Sequence, residues 1–148
     1  PDLVLTGGFT NAYSAAMAKR LGYRVVDIPP PQSLAEVRRN IRSVALALGT
    51  APRGEALIEE MDRKLGSVPR VQRAALLLTG GGYVPRADGL AAEYLRHAGL
   101  RQQDVPSGRA DLERLLAAPP AVIVTSRYRS GQTSRHQMWL AHPALRAL

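Results

Sequence analysis

The 148-residue chain contains no cysteine, which removes disulfide scaffolds, zinc–thiolate centres and cysteine nucleophiles together. It leaves the redox compartment open, because cysteine-free chains suit the periplasm as well as the cytosol. No stretch approaches 18 uninterrupted apolar residues, so no membrane-spanning helix is expected. Lysine is nearly absent: Lys19 and Lys64 stand against 18 arginines. Aromatic residues are 5% of the chain and do not interleave with the arginines, as a stacking platform for single-stranded nucleic acid requires. What is present is 45% hydrophobic and 22% charged residues, a globular composition for one ordinary domain or two small lobes.

The net charge of +8 is spread thinly. Residues 1–30 carry +1, residues 31–73 carry +3, residues 74–100 are balanced, and residues 101–148 carry +4. No acid follows Glu113, which leaves Arg127, Arg129, Arg135 and Arg146 in an acid-free stretch. This reads as a solvated arginine-rich surface before it reads as a nucleic-acid footprint.

Leu3-Val4-Leu5 is a short apolar run ending in Thr6-Gly7-Gly8, the pattern of a buried strand feeding a loop. Asn11 can cap a helix through Leu21, with Gly22 as its stop, and Tyr23 to Ile28 reads as the next strand. Such a β-α-β unit implies parallel strands. Ser33-Leu34-Ala35-Glu36 is a capping box, followed by Leu34, Val37, Ile41, Val44 and Leu48 on one helical face. Gly49 ends that helix, and another begins near Arg53 with Leu57, Ile58, Met61 and Leu65 as its buried stripe.

A second α/β segment starts at Ala74. Ala75 to Leu78 is a strand, the glycine-rich loop Thr79 to Tyr83 leaves it, and Gly89 to Leu100 and Ala110 to Ala117 read as helices. Val122-Ile123-Val124 is a further strand, with Arg127 to Gly131 as the loop beyond it and a last helix from Ser134. The order of proline, apolar strand and threonine at Pro1 to Thr6 repeats at Pro120 to Thr125, as two similar α/β lobes would produce.

Few residues announce catalysis. Gly80 and Gly82 match the start of a dinucleotide fingerprint, but Pro85 stands at its third glycine. His97, His136 and His142 do not share a helical face, and no serine sits in a nucleophile elbow. Neither catalytic residues, a metal site nor a cofactor is expected. The loop Arg127-Tyr128-Arg129 leaves a strand at its carboxyl end, where open α/β sheets bind ligands, and its guanidiniums suit carboxylate or phosphate.

The ordered series of segments resembles the class III periplasmic substrate-binding proteins of ABC importers, the binders of cobalamin and ferric siderophores. Pro1-Asp2-Leu3-Val4 is similar to that family's PDLV strand, and Asn11 to Pro29 to the helix-L-G-strand that follows it. Ser33 to Gly49 resembles the entry into its interdomain helices. The run from Leu112-Glu113 through Pro120 to Val124 resembles its second-lobe LExLLxxxPxVIV segment.

The resemblance implies an α/β fold of two Rossmann-like lobes with parallel sheets, bridged by a long helix, with the first lobe incomplete and the chain truncated at its end. Residues 1–32 would be the later part of the N-terminal lobe, 33–73 the helical bridge and 74–148 the C-terminal lobe. It implies capture of a metal chelate, such as a ferric siderophore, haem or a corrinoid, in the cleft between lobes. The expected location is the periplasm, or a lipid anchorage outside the cytoplasmic membrane. Gly8, Phe9 and Thr10 fall where the family faces its ligand, Tyr83 lies in the corresponding second-lobe loop, and Arg127, Tyr128 and Arg129 complete the expected ligand contacts. Glu113 matches the acidic position that docks on the permease. Ser107-Gly108 replaces a tryptophan common in the cobalamin binders. Uncovered strand edges and apolar surface would favour self-association. The alternatives are a Rossmann-type enzyme acting on a nucleotide or sugar phosphate, and a basic nucleic-acid-binding module.

Overall fold

A computed structural model describes residues 1–79, 82–125 and 140–143. They form two compact units, Pro1–Gly66 and Ser67–Leu148.

The first unit opens with β1 (Leu3–Gly7), α1 (Ala12–Arg20) and β2 (Arg24–Ile28). β1 and β2 pair in parallel, with Leu3 opposite Arg24 and Gly7 opposite Ile28, as the β-α-β pattern predicts. Asn11 caps α1 by accepting the Tyr13 amide at 2.8 Å. No α1 residue is buried, and Met17 and the C-cap residue Leu21 are exposed.

α2 (Leu34–Ala47) and α3 (Ala51–Leu65) follow. Ser33 Oγ accepts the Glu36 amide at 3.2 Å, and Glu36 reaches back to accept the Gln32 amide at 2.7 Å, one residue earlier than a strict capping box. The helical segment is not one rod. α2 ends at Ala47 with Leu48 as its C-cap, Gly49 takes φ +70°, and the chain folds back as an antiparallel hairpin. That geometry follows from the cross-links: Arg38 forks onto Asp62, Arg42 onto Glu55, and Ala45 meets Gly54. A Cβ added at Gly54 would lie 2.5 Å from the Ala45 Cβ, so only glycine permits this approach. Leu34, Ala45 and Ile58 are buried at the seam. Leu48 and Leu57, expected in the buried stripes, are instead exposed along an apolar groove that also includes Ile41 and Val44.

The second unit contains β3 (Arg73–Leu78), β4 (Tyr83–Val84), α4 (Leu90–His97), β5 (Leu100–Gln102), β6 (Gly108–Arg109), α5 (Leu112–Ala117) and β7 (Val122–Thr125). β3 is central in a parallel sheet of order β5-β3-β7. β4 and β6 form a separate antiparallel ribbon. Leu76, Leu78, Val84 and Leu115 make the core, each buried leucine stabilising the fold by roughly 1.5–3 kcal/mol. Where β5 stops, the Gln102 side chain continues its ladder by accepting the Leu77 amide at 3.1 Å. Leu100 lies in β5 rather than at the end of the preceding helix, because the Ala98 and Gly99 amides bond back and close α4.

Candidate functional site

In the first unit, the carboxyl ends of two parallel strands present the β1–α1 loop and the proline run after β2. The loop is built rather than loose. Thr10 Oγ1 accepts the Gly7 amide at 2.9 Å, and the Thr10 amide returns to the Gly7 carbonyl at 2.8 Å. Gly8 lies against the Pro30 ring so closely that any Cβ there would collide with it. Beneath the loop, buried Thr6 donates from Oγ1 to Asp27 Oδ1 at 2.8 Å, tying the two strand ends together. Phe9, at the tip, is fully exposed. Gly8, Phe9 and Thr10 thus share one braced loop.

In the second unit, β3 runs into a tight turn rather than into a helix. The Thr79 amide and hydroxyl both donate to the Tyr83 carbonyl, at 2.8 and 3.0 Å, and Gly82 N donates to Thr79 O at 3.0 Å. The chain therefore doubles back as β4, and α4 begins only at Leu90. This topology removes the dinucleotide fingerprint more firmly than Pro85 does, since no helix N-terminus follows the strand to meet a pyrophosphate.

Tyr83, half exposed, stands directly across the ribbon from Arg109. Sequence reasoning missed this partner. Strands of two residues carry no period, and the cue available was a glycine ahead of an arginine before the Asp111 cap. Arg109 leads through Ala110, whose amide donates to the Gly82 carbonyl at 2.9 Å, into α5. Asp111 caps that helix by accepting the Glu113 amide at 3.0 Å. Glu113 itself is exposed in the first turn. Arg127, Tyr128 and Arg129, with His136 and the helix expected from Ser134, lie outside the described residues. Among the described residues, no cluster of three His, Asp or Glu is placed to hold a metal ion.

No protein-family model and no curated protein matches the chain. Solved structures do. The periplasmic haem-binding protein BhuT, in complex with two haems, superposes with a TM-score of 0.75 at 26% identity, over 99% of this chain and 62% of its own. A periplasmic haem-binding protein from Pseudomonas aeruginosa gives 0.72 at 20% identity, over 98% of this chain and 58% of that one. The periplasmic vitamin B12-binding protein BtuF of Vibrio cholerae gives 0.59 at 17% identity, over 99% and 62%. All three are periplasmic binding proteins.

Parallel strands joined through helices in each unit, together with these likenesses, define the fold. By fold the chain is α/β and similar to the periplasmic binding proteins of this kind, with Rossmann-like parallel sheets. It spans 58% to 62% of the length of the three neighbours. Among the described residues, no helix is long and apolar enough to cross a membrane.

Proposed function

We propose that this chain belongs to the ligand-capture component of an ABC importer, acting in the periplasm or lipid-anchored outside the cytoplasmic membrane. Its ligand is a metal chelate: a ferric siderophore, haem or a corrinoid. The reading is carried by the braced β1–α1 loop, which presents an exposed Phe9 at the carboxyl ends of parallel strands in a binding-protein fold. An exposed ring on a rigid loop offers a flat apolar face to a planar or macrocyclic ligand at little ordering cost. Tyr83 beside Arg109 offers an aromatic face with a cation, suited to an anionic chelate. Gly8 and Thr10 shape the first loop, and Arg127, Tyr128 and Arg129 add anion-binding capacity on the second. Glu113, exposed at the start of α5, serves to dock on arginines of the permease.

The test is titration of the chain with haem, a ferric hydroxamate siderophore and cyanocobalamin, followed by ligand absorbance and calorimetry. One class is expected to saturate, and Phe9→Ala to weaken it by about tenfold, the scale of one lost aromatic contact. Failure of all three ligands to saturate would overturn the reading.

We further propose that the first unit self-associates. Leu5, Phe9, Tyr13, Met17 and Leu21 are exposed, and the β1–β2 pair offers strand edges that other chains can extend.

A further inference from the structure

The second unit holds a cavity of about 260 Å³ that no residue named above as a chelate contact explains, apart from Arg109. Its floor is the apolar core itself: Leu76, Val84 and Leu115, all at least 95% buried. One wall is a single face of α5 and its flanks, Asp111, Arg114, Leu115 and Ala118, at the helical spacing of three, four and seven residues. The remaining rim includes Ser107 and Arg109.

The polar groups divide into those already committed and those available. Asp111 Oδ1 caps α5, and its Oδ2 stands 3.9 Å from Arg114 Nε, too long for a hydrogen bond. Gln103 Nε2 is committed to the Ala118 carbonyl at 2.8 Å. Arg109 has no acidic partner among the described residues. The cavity thus has a greasy floor, one carboxylate and two guanidiniums, of which one is unpaired and the other loosely paired. A neutral apolar guest would leave that positive excess unused, and a phosphate would waste the floor.

We propose that this cavity is a binding site for a small monocarboxylate, its short apolar body on Leu76, Val84 and Leu115 and its carboxylate at the Arg109–Arg114 rim. Guanidinium and carboxylate match as planar two-point partners, which an ammonium or hydroxyl does not. The proposal shares only Arg109 with the chelate reading and stands without it through Arg114 and the apolar floor.

The experiment follows the leucine and valine methyl signals of the whole chain while hexanoate, hexanol or hexylamine is added. Hexanoate is expected to shift the Leu76, Val84 and Leu115 methyls saturably, with hexanol at least about tenfold weaker, the scale of one charge-assisted contact. Arg109→Gln or Arg114→Gln should weaken hexanoate by a similar factor while leaving the free spectrum unchanged. Arg86→Gln, in an exposed pair with Asp88 and not lining the cavity, should leave hexanoate binding as it was. Hexanol binding as tightly as hexanoate would overturn the assignment. So would the absence of saturable methyl shifts, or hexanoate affinity indifferent to both rim substitutions.

Discussion

The Gly54–Ala45 contact allows a prediction whose sign runs against helix propensity. Gly54 lies inside α3, where replacement by alanine in an isolated helix would stabilise by about 1 kcal/mol. In this hairpin the new methyl would sit 2.5 Å from the Ala45 Cβ. Carbon atoms rest at about 3.5–4.0 Å, so the helices must part by roughly 1 Å or distort, at a cost of about 1–3 kcal/mol. Gly54→Ala should therefore destabilise, by up to about 2 kcal/mol after the propensity gain. Ala45→Gly alone should cost about 1 kcal/mol in propensity. Combined, the two substitutions move one methyl across the same seam, and the propensity terms cancel. The double variant should unfold near wild type, a coupling of about 1–3 kcal/mol. Denaturant unfolding followed by far-ultraviolet circular dichroism measures all four corners of the cycle. Additive effects, or a stabilising Gly54→Ala, would refute the close-packed hairpin.

The same hairpin carries a pH signature. Arg42 forks onto Glu55 at 2.7 and 3.0 Å, and that hydrogen bonding holds the Glu55 carboxyl below the ordinary glutamate range. A depressed carboxylate stabilises the fold above its unfolded value and loses that contribution as pH falls through the folded one. Glu55→Gln should then lower the unfolding midpoint at neutral pH and converge on wild type as acid protonates the paired carboxyl; a pH-independent difference would show that the pair is not the cause. Light scattering tests self-association: the weight-average mass should rise with concentration, and Met17→Glu with Leu21→Lys should suppress the rise, whereas a monomer at every concentration would sink the proposal.

Local chemistry made the first unit legible. The β-α-β step, the Asn11 cap, the Ser33–Glu36 box and the Gly49 break each depend on neighbours within a few residues, and each is found where its residues stand. Burial was less legible than periodicity. Leu48 and Leu57 keep the helical rhythm yet remain exposed, because rhythm marks a face and a tertiary neighbour must still cover it. In the second unit, β4, β5 and β6 are two or three residues long, too short to display alternation. The β4–β6 pairing, and with it the meeting of Tyr83 and Arg109, arises from the Thr79–Tyr83 turn and the Ala110–Gly82 hydrogen bond, which have no sequence spacing to betray them.

The candidate site separates in the same way into what residue type shows and what only geometry shows. Phe9 is the sole phenylalanine, and a composition argument would bury it. The structure does the reverse and invests the surrounding chain in holding it out. Thr10 closes the turn, Pro30 packs on Gly8, and Thr6 clamps Asp27 below. Each of these constraints removes loop freedom that a ligand would otherwise have to remove on binding. None of them buries the phenyl ring, which is fully exposed. A loop selected only to connect β1 with α1 has no need of such bracing beneath an exposed apolar tip. The bracing is explained if the tip is a contact surface: rigid before the ligand arrives, and covered once it does.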